Sequence, residues 1–219
     1  PTNEINRGSL LIKGDRIIAV DTALNLPNGA IIHDLNGDFI YPSFIDLYSN
    51  YALPEIKRAK YHLYRPQYKS KNNGAYHWNQ SIHPEINASK EFIANKKTAK
   101  SYLDNGFGSV LTHLQDGILR GTGTFVLLSN KSNQENMLQR ESATFYSFKK
   151  GKSIQKNPTS LMGSIALIRQ TLSDAQWYEK AYGKEAYNGP VEFNAALDAL
   201  KDIEQTGIVF KIDFPFSWV

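Results

Sequence analysis

The stretch Gly37-Asp38-Phe39-Ile40-Tyr41-Pro42-Ser43-Phe44-Ile45-Asp46-Leu47-Tyr48-Ser49-Asn50 decides how the rest of this sequence is read. Asn36-Gly37 just before it is a strong turn signal, and Phe39-Ile40-Tyr41 is a β-rich run. Pro42 cannot donate to a ladder and marks the exit from that run. Phe44-Ile45-Asp46-Leu47 then reads as a short buried strand. The stretch is a passage out of one β-rich region and into another sheet.

Upstream, Ser9–Lys13 and Arg16–Val20 are β-rich runs joined by Gly14-Asp15, a two-residue hairpin connection. Ala30–Leu35 is expected as a third strand. Three or four short strands make a sheet too small to stand alone. Downstream, residues 51–88 carry turn-formers at Pro54, Pro66, Asn72-Asn73-Gly74 and Pro84. They read as an irregular insertion. Glu91–Leu103 has helical spacing, with Ser89 as its cap. Gly108–His113 follows as a strand, giving the strand–helix–strand rhythm of parallel α/β units. Gly121–Leu128 is a further strand, Leu161–Leu172 a helix continuing through Trp177, and Phe193–Ile203 an amphipathic helix stopped by Gly207. Ile208–Ile212 returns to strand. The expected division is residues 1–42 and 43–219.

Composition narrows the function. Hydrophobic residues are 41% and charged residues 21% of 219, which is globular and long enough for a sizeable core. The net charge of +4 implies neither a nucleic-acid nor a membrane partner. No apolar run reaches the roughly 20 residues that span a bilayer. With no cysteine, disulfides, thiolate metal sites and cysteine nucleophiles are excluded. Periplasmic and cytoplasmic homes fit equally. The chain opens without Met and stops on the apolar run Ile208–Val219, so it reads as a fragment of something longer.

Several segments together resemble the amidohydrolase superfamily, within its imidazolonepropionase-like branch. Residues 8–20 resemble the family's opening hairpin. Residues 37–50 resemble its entry into the barrel, Gly-x-x-(hydrophobic)-x-Pro-Gly-Phe-Ile-Asp-x-His-x-His, with Asp46 on the family's Asp. Gly106-Phe-Gly-Ser-Val-Leu-Thr112 is similar to its second barrel strand. His77-Trp-Asn79, His83-Pro-Glu85, Asp116–Thr122 and Leu161–Gln170 resemble the degenerate first unit of long bacterial tandem amidohydrolases. The resemblance implies a partial (β/α)8 barrel preceded by a small β-sandwich portion. A whole barrel takes about 250 residues, more than remain after the first 42. It also implies a parent that hydrolyses non-peptide C–N bonds with zinc or another divalent metal. The implied partners are the remainder of the parent chain or a second amidohydrolase unit.

The family's His-x-His claw works because alternate residues of a strand point the same way. Here Tyr48 and Asn50 stand in those positions; neutral tyrosine and an amide oxygen are weak zinc ligands. Ile208–Ile212 resembles the strand carrying a later histidine ligand, and Lys211 falls in its place. No metal or other cofactor is therefore expected in this unit. The expected role is a degenerate, supporting unit; the alternative is a non-enzymatic module for a ligand or partner.

His113 ends an expected barrel strand, where active sites gather, and serves either as a cleft residue or as a strand end bonded to backbone. Asp116 and Arg120 lie just beyond; they either bind an anionic ligand or pair with each other to hold the loop. His77 beside Trp78 reads as loop packing. Lys57, Arg58, Lys60, Arg65, Lys69 and Lys71 interleave with Tyr61, Tyr64, Tyr68, Tyr76 and Trp78. This pattern suits loop packing or an interface better than nucleic acid. The ligand-cleft candidates are thus Tyr48, Asn50, His113, Asp116, Arg120 and Lys211.

Overall fold

The computed structural model describes residues 5, 7–57, 64, 66–182, 189–201 and 206–212. They belong to two compact units, Pro1–Pro42 and Ser43–Val219.

In the first unit, β1 (Ser9–Lys13) and β2 (Arg16–Asp21) form an antiparallel hairpin. Gly14 takes φ 65° at the turn, a conformation glycine enters without penalty. The strands expected at 30–35 and 39–41 do not form. Asn36 and Gly37 make their turn, yet Ile31, Ile32, Phe39 and Tyr41 join no ladder and are exposed. A turn sets direction only; a strand also needs a partner edge.

The second unit is α/β. Its elements are β3 (Phe44–Ser49), α1 (Ala88–Glu91), α2 (Lys96–Asp104), β4 (Phe107–Thr112), β5 (Leu119–Leu127), α3 (Asn133–Asn136), β6 (Met137–Ser147), α4 (Leu161–Tyr182), α5 (Ala195–Asp198) and β7 (Gly207–Lys211). One five-stranded sheet runs β3-β4-β5-β6-β7. The β3–β4 and β6–β7 pairs are parallel, while β5 is antiparallel to both its neighbours. Connection length explains the difference. A parallel crossover needs a dozen or more residues, and the links 113–118 and 128–136 are shorter. The parallel rhythm expected from the sequence is therefore interrupted by one reversed strand.

Several expected elements are redrawn. The helix at 91–103 is split into α1 and α2, capped by Asn87 and Asn95 rather than Ser89. Between them the Ile93 amide donates to the Ala52 carbonyl (3.0 Å) and the Ala94 amide to Asn133 Oδ1 (2.8 Å). These tertiary acceptors take amides that a continuous helix would have used. The expected helix 193–203 is confined to α5, with residues 202–205 outside the described ones. The long helix is present and runs on to Tyr182. β6, for which the sequence raised no expectation, pairs with both β5 and β7. Phe44–Leu47 is not buried: Phe44 is 67% and Leu47 59% exposed, because β3 is an edge strand. The apolar end Ile208–Val219 is a strand through Lys211, and residues 213–219 lie outside the described ones.

Side chains alternate across the sheet, so its faces differ. One core joins Ile118, Leu119 and Tyr146 to Leu167, Ile168 and Ala175 of α4. A second joins Val110 and Val126 to Tyr51, Phe92 and Ala99. A third, Leu111, Ala143 and Phe145, packs with Tyr48, Phe125 and Val209. That third cluster is the floor beneath the candidate site.

Among its described residues the insertion at 51–88 has no helix or strand before α1, yet much of its end is internal. His77, Asn79, Ser81, Ile82 and His83 are all buried. The buried Gln155 amide ties it down: Nε2 donates to the carbonyls of Tyr68 (2.9 Å) and Trp78 (3.3 Å), and Oε1 accepts from the Gln80 amide (2.8 Å). His77 is structural as expected, with its ring 5.4 Å from that of Trp78. Its Nδ1 accepts from the Asn79 amide (3.0 Å). Thr171 Oγ1 donates to the Leu167 carbonyl (2.8 Å), so it accepts from Nε2 of the ring (3.3 Å). The proton of a neutral His77 therefore sits on Nε2. His62 and the basic residues Arg58, Lys60 and Arg65 lie outside the described residues, as does Tyr61. Tyr64, Tyr68 and Trp78 of the same loop are exposed.

Candidate functional site

Strand ends and alternation assemble one hollow. β3, β4, β6 and β7 run the same way and finish at one end of the sheet, with Ser49 opposite Thr112 and Ser147 opposite Lys211. Because β5 is reversed, it begins at that end, Leu119 lying opposite Tyr146. The reversal is what delivers Arg120 there. A cavity of about 250 Å³ is lined by Tyr48, Asn50, His113, Arg120 and Lys211, with Glu55, Gln115 and Lys149 among the rest of its wall. Five of the six candidates read from the sequence thus share one hollow.

Asp116 does not join them. Buried at 1% exposure, it accepts from the Lys152 amide (2.8 Å) and pairs with Lys152 Nζ (3.0 Å). The expected pairing of Asp116 with Arg120 is not made, since each is bonded to other partners. Asp116 is a loop clamp, packed so closely on Gly151 that a Cβ there would collide with it.

Arg120 is 5% exposed. Its Nε donates to the Gly117 carbonyl (3.0 Å), and Nη1 donates to the Tyr48 hydroxyl and lies 3.4 Å from His113 Nε2. His113 is fully buried, its ring stacked on Phe145 at 3.6 Å and meeting the Tyr48 ring edge-on at 4.7 Å. Burial, and then the Arg120 charge, push its pKa down to about 3, against the pull of the Ser49 backbone; Lys211 adds to the lowering. His113 is therefore neutral at physiological pH. A guanidinium only donates, so Nε2 is the acceptor and Nδ1 carries the proton. Nδ1 is sealed from solvent and makes no bond of full hydrogen-bond geometry among the described residues, although the Ser49 backbone favours its proton. Lys211 places Nζ 4.7 Å from the Tyr48 ring centre, a cation–π contact.

Lys149, Glu55 and Gln115 were not foreseen. Lys149 follows β6, a strand the sequence reading did not find. Glu55 lies in the irregular insertion, where no period assigns a face.

This donor set does not fit a divalent metal. Among the described residues no three His, Cys, Asp or Glu side chains converge to hold one. The His113 nitrogen nearest the hollow's cation faces Arg120, and the Tyr48 hydroxyl accepts from the same guanidinium. Lys211, in the same wall, is a further side chain that carries no metal-ligating lone pair while protonated.

No protein-family model and no curated protein matches this chain. Among solved structures, the crystal structure of an amidohydrolase from Thermotoga maritima MSB8 is similar, with a TM-score of 0.64 at 17% identity. The match covers 90% of this chain and 50% of that one, so this chain spans half the length of that structure. At this identity the likeness concerns the fold. The fold, a five-stranded α/β sheet with a separate two-stranded sheet, is similar to half of that structure. No helix among the described residues is long and apolar enough to cross a membrane.

Proposed function

We propose that this chain is an amidohydrolase-like unit that has given up metal-dependent hydrolysis and uses its hollow to hold a small ligand. The observation that carries this reading is the hollow's wall. At the strand ends where the family's metal would sit, Tyr48, Asn50, Arg120 and Lys211 replace a convergent set of histidines and carboxylates. The finer placement, an imidazolonepropionase-like unit beside an active amidohydrolase unit, is part of the same proposal and rests on the sequence motifs.

The sheet's edges support a complementing partner. Phe44, Ile45 and Leu47 of β3 and Ile208 of β7 are each more than half exposed at opposite edges. Apolar edge strands left bare are templates for pairing. The proposed complement is further barrel strands from the parent chain or from a second amidohydrolase unit.

The test is metal analysis of the full-length protein, equilibrated with zinc and then dialysed. The reading predicts no zinc attributable to this unit, meaning that substituting Tyr48→Phe leaves the bound zinc unchanged. Zinc that disappears with Tyr48→Phe or Asn50→Ala refutes it.

A further inference from the structure

Arg120 is a buried cation whose hydrogen-bonding partners are all neutral: the Gly117 carbonyl, the Tyr48 hydroxyl and, at 3.4 Å, the His113 ring. Among the described residues no carboxylate lies within ion-pair distance of it. The nearest carboxylate in sequence, Asp116, is committed to Lys152. Guanidinium stays charged at any physiological pH, so it cannot relieve the cost of burial by losing a proton. Buried charges are kept where a counter-charge compensates them.

These bonds use Nε and Nη1. Nη2 makes none among the described residues, and it is not among the polar atoms sealed from solvent without a partner. It is therefore not sealed off, and Arg120 is part of the hollow's wall. The same wall also holds Lys149 and Lys211. Asn50 and Gln115 add amide groups able to donate to an anion. At about 250 Å³ the space is below the ~300–1,000 Å³ of drug-sized sites, which suits a small metabolite.

We propose that the hollow binds a small organic molecule through an oxyanion headgroup, a carboxylate or a phosphate, with Arg120 as the buried anchor and Lys211 at the wall. This rests on the reading that the hollow holds a ligand in place of a metal. The guanidinium edge left free at Nη2 supplies directed, charge-assisted donors. Tyr48 positions the guanidinium by accepting from Nη1, and the neutral His113 ring accepts on the same side without adding a competing anion.

The experiment is calorimetric titration of the full-length protein with acetate, succinate and inorganic phosphate, each against chloride at equal ionic strength. Saturable binding of at least one probe is expected, and the tighter arm identifies the headgroup. Arg120→Lys should weaken that binding at least tenfold, because an ammonium cannot reproduce the fork; Lys211→Met should weaken it several-fold. If Arg120→Lys fails to fold, the wild-type protein carries the test through the Arg120 side-chain ¹⁵N resonances. These should shift with the oxyanion and not with chloride. Wild-type protein that binds neither class better than chloride overturns the proposal, as does binding that ignores Arg120→Lys. Anion failure with no zinc uptake sinks this proposal alone; zinc uptake abolished by Tyr48→Phe sinks the reading beneath it.

Discussion

Acidification should destabilise this protein through a histidine that refuses its proton. His113 is fully buried, with its pKa held down at about 3 by burial and the Arg120 charge, against 6.5 for a free histidine. Below pH 6.5 the unfolded chain takes up a proton that the folded state rejects. Stability is therefore complete above the unfolded value and falls with pH until the folded value is reached. One pKa unit corresponds to about 1.4 kcal/mol, so lowering the pH from 6.5 to 4.5 should cost about 2–3 kcal/mol at this site. His77, also shifted down by burial, adds in the same direction. Carboxylates titrate in this window too, so the contrast between wild type and His113→Gln isolates the effect. Urea unfolding of both proteins at half-unit pH steps measures it. The variant should lose less stability per pH unit below 6.5, by about 1.4 kcal/mol. Parallel pH profiles would show that His113 charges freely in the folded state, and the stacked, guanidinium-facing geometry would then be wrong.

Three further perturbations probe the scaffold. Phe145→Ala removes a fully buried ring and the platform on which His113 stacks, so a loss of about 3–5 kcal/mol is expected by denaturant titration. Gly121 sits at φ +79°, where a Cβ would collide with the carbonyl oxygens of Ile86 and His83. Gly121→Ala should accordingly lower the melting temperature far more than Gly37→Ala, whose surroundings are open. Asn95→Ala removes the side-chain acceptor for the Thr98 amide at the start of α2 and should cost about 1 kcal/mol by urea unfolding.

What the sequence made legible follows from which interactions are local. The Gly14-Asp15 hairpin, the strand at 44–49 and the long helix from Leu161 are set by turn chemistry and apolar periodicity within a few residues. The reversed strand β5 was legible in principle, because residues 113–118 are too few for a parallel crossover, but the barrel rhythm obscured it. β6 was hidden by Gln139, Arg140 and Glu141, which give its exposed first half no strand alternation. The break between α1 and α2 depends on Ala52 and Asn133, distant in sequence, and no local reading reaches them. At the site, strand-end positions placed Tyr48, Asn50, His113 and Lys211 around one space. Arg120 was nominated with Asp116 as its partner, and only the fold revealed that Lys152 takes Asp116 and leaves the guanidinium without a carboxylate.

The most direct test of a hollow built for an anion in place of a metal is crystallographic. Crystals of the full-length protein, soaked with zinc and with the best-binding oxyanion, are measured at the zinc absorption edge. The account predicts oxyanion density against Arg120 and no anomalous peak within the hollow. A zinc peak bridging Tyr48, Asn50 and His113 would contradict it.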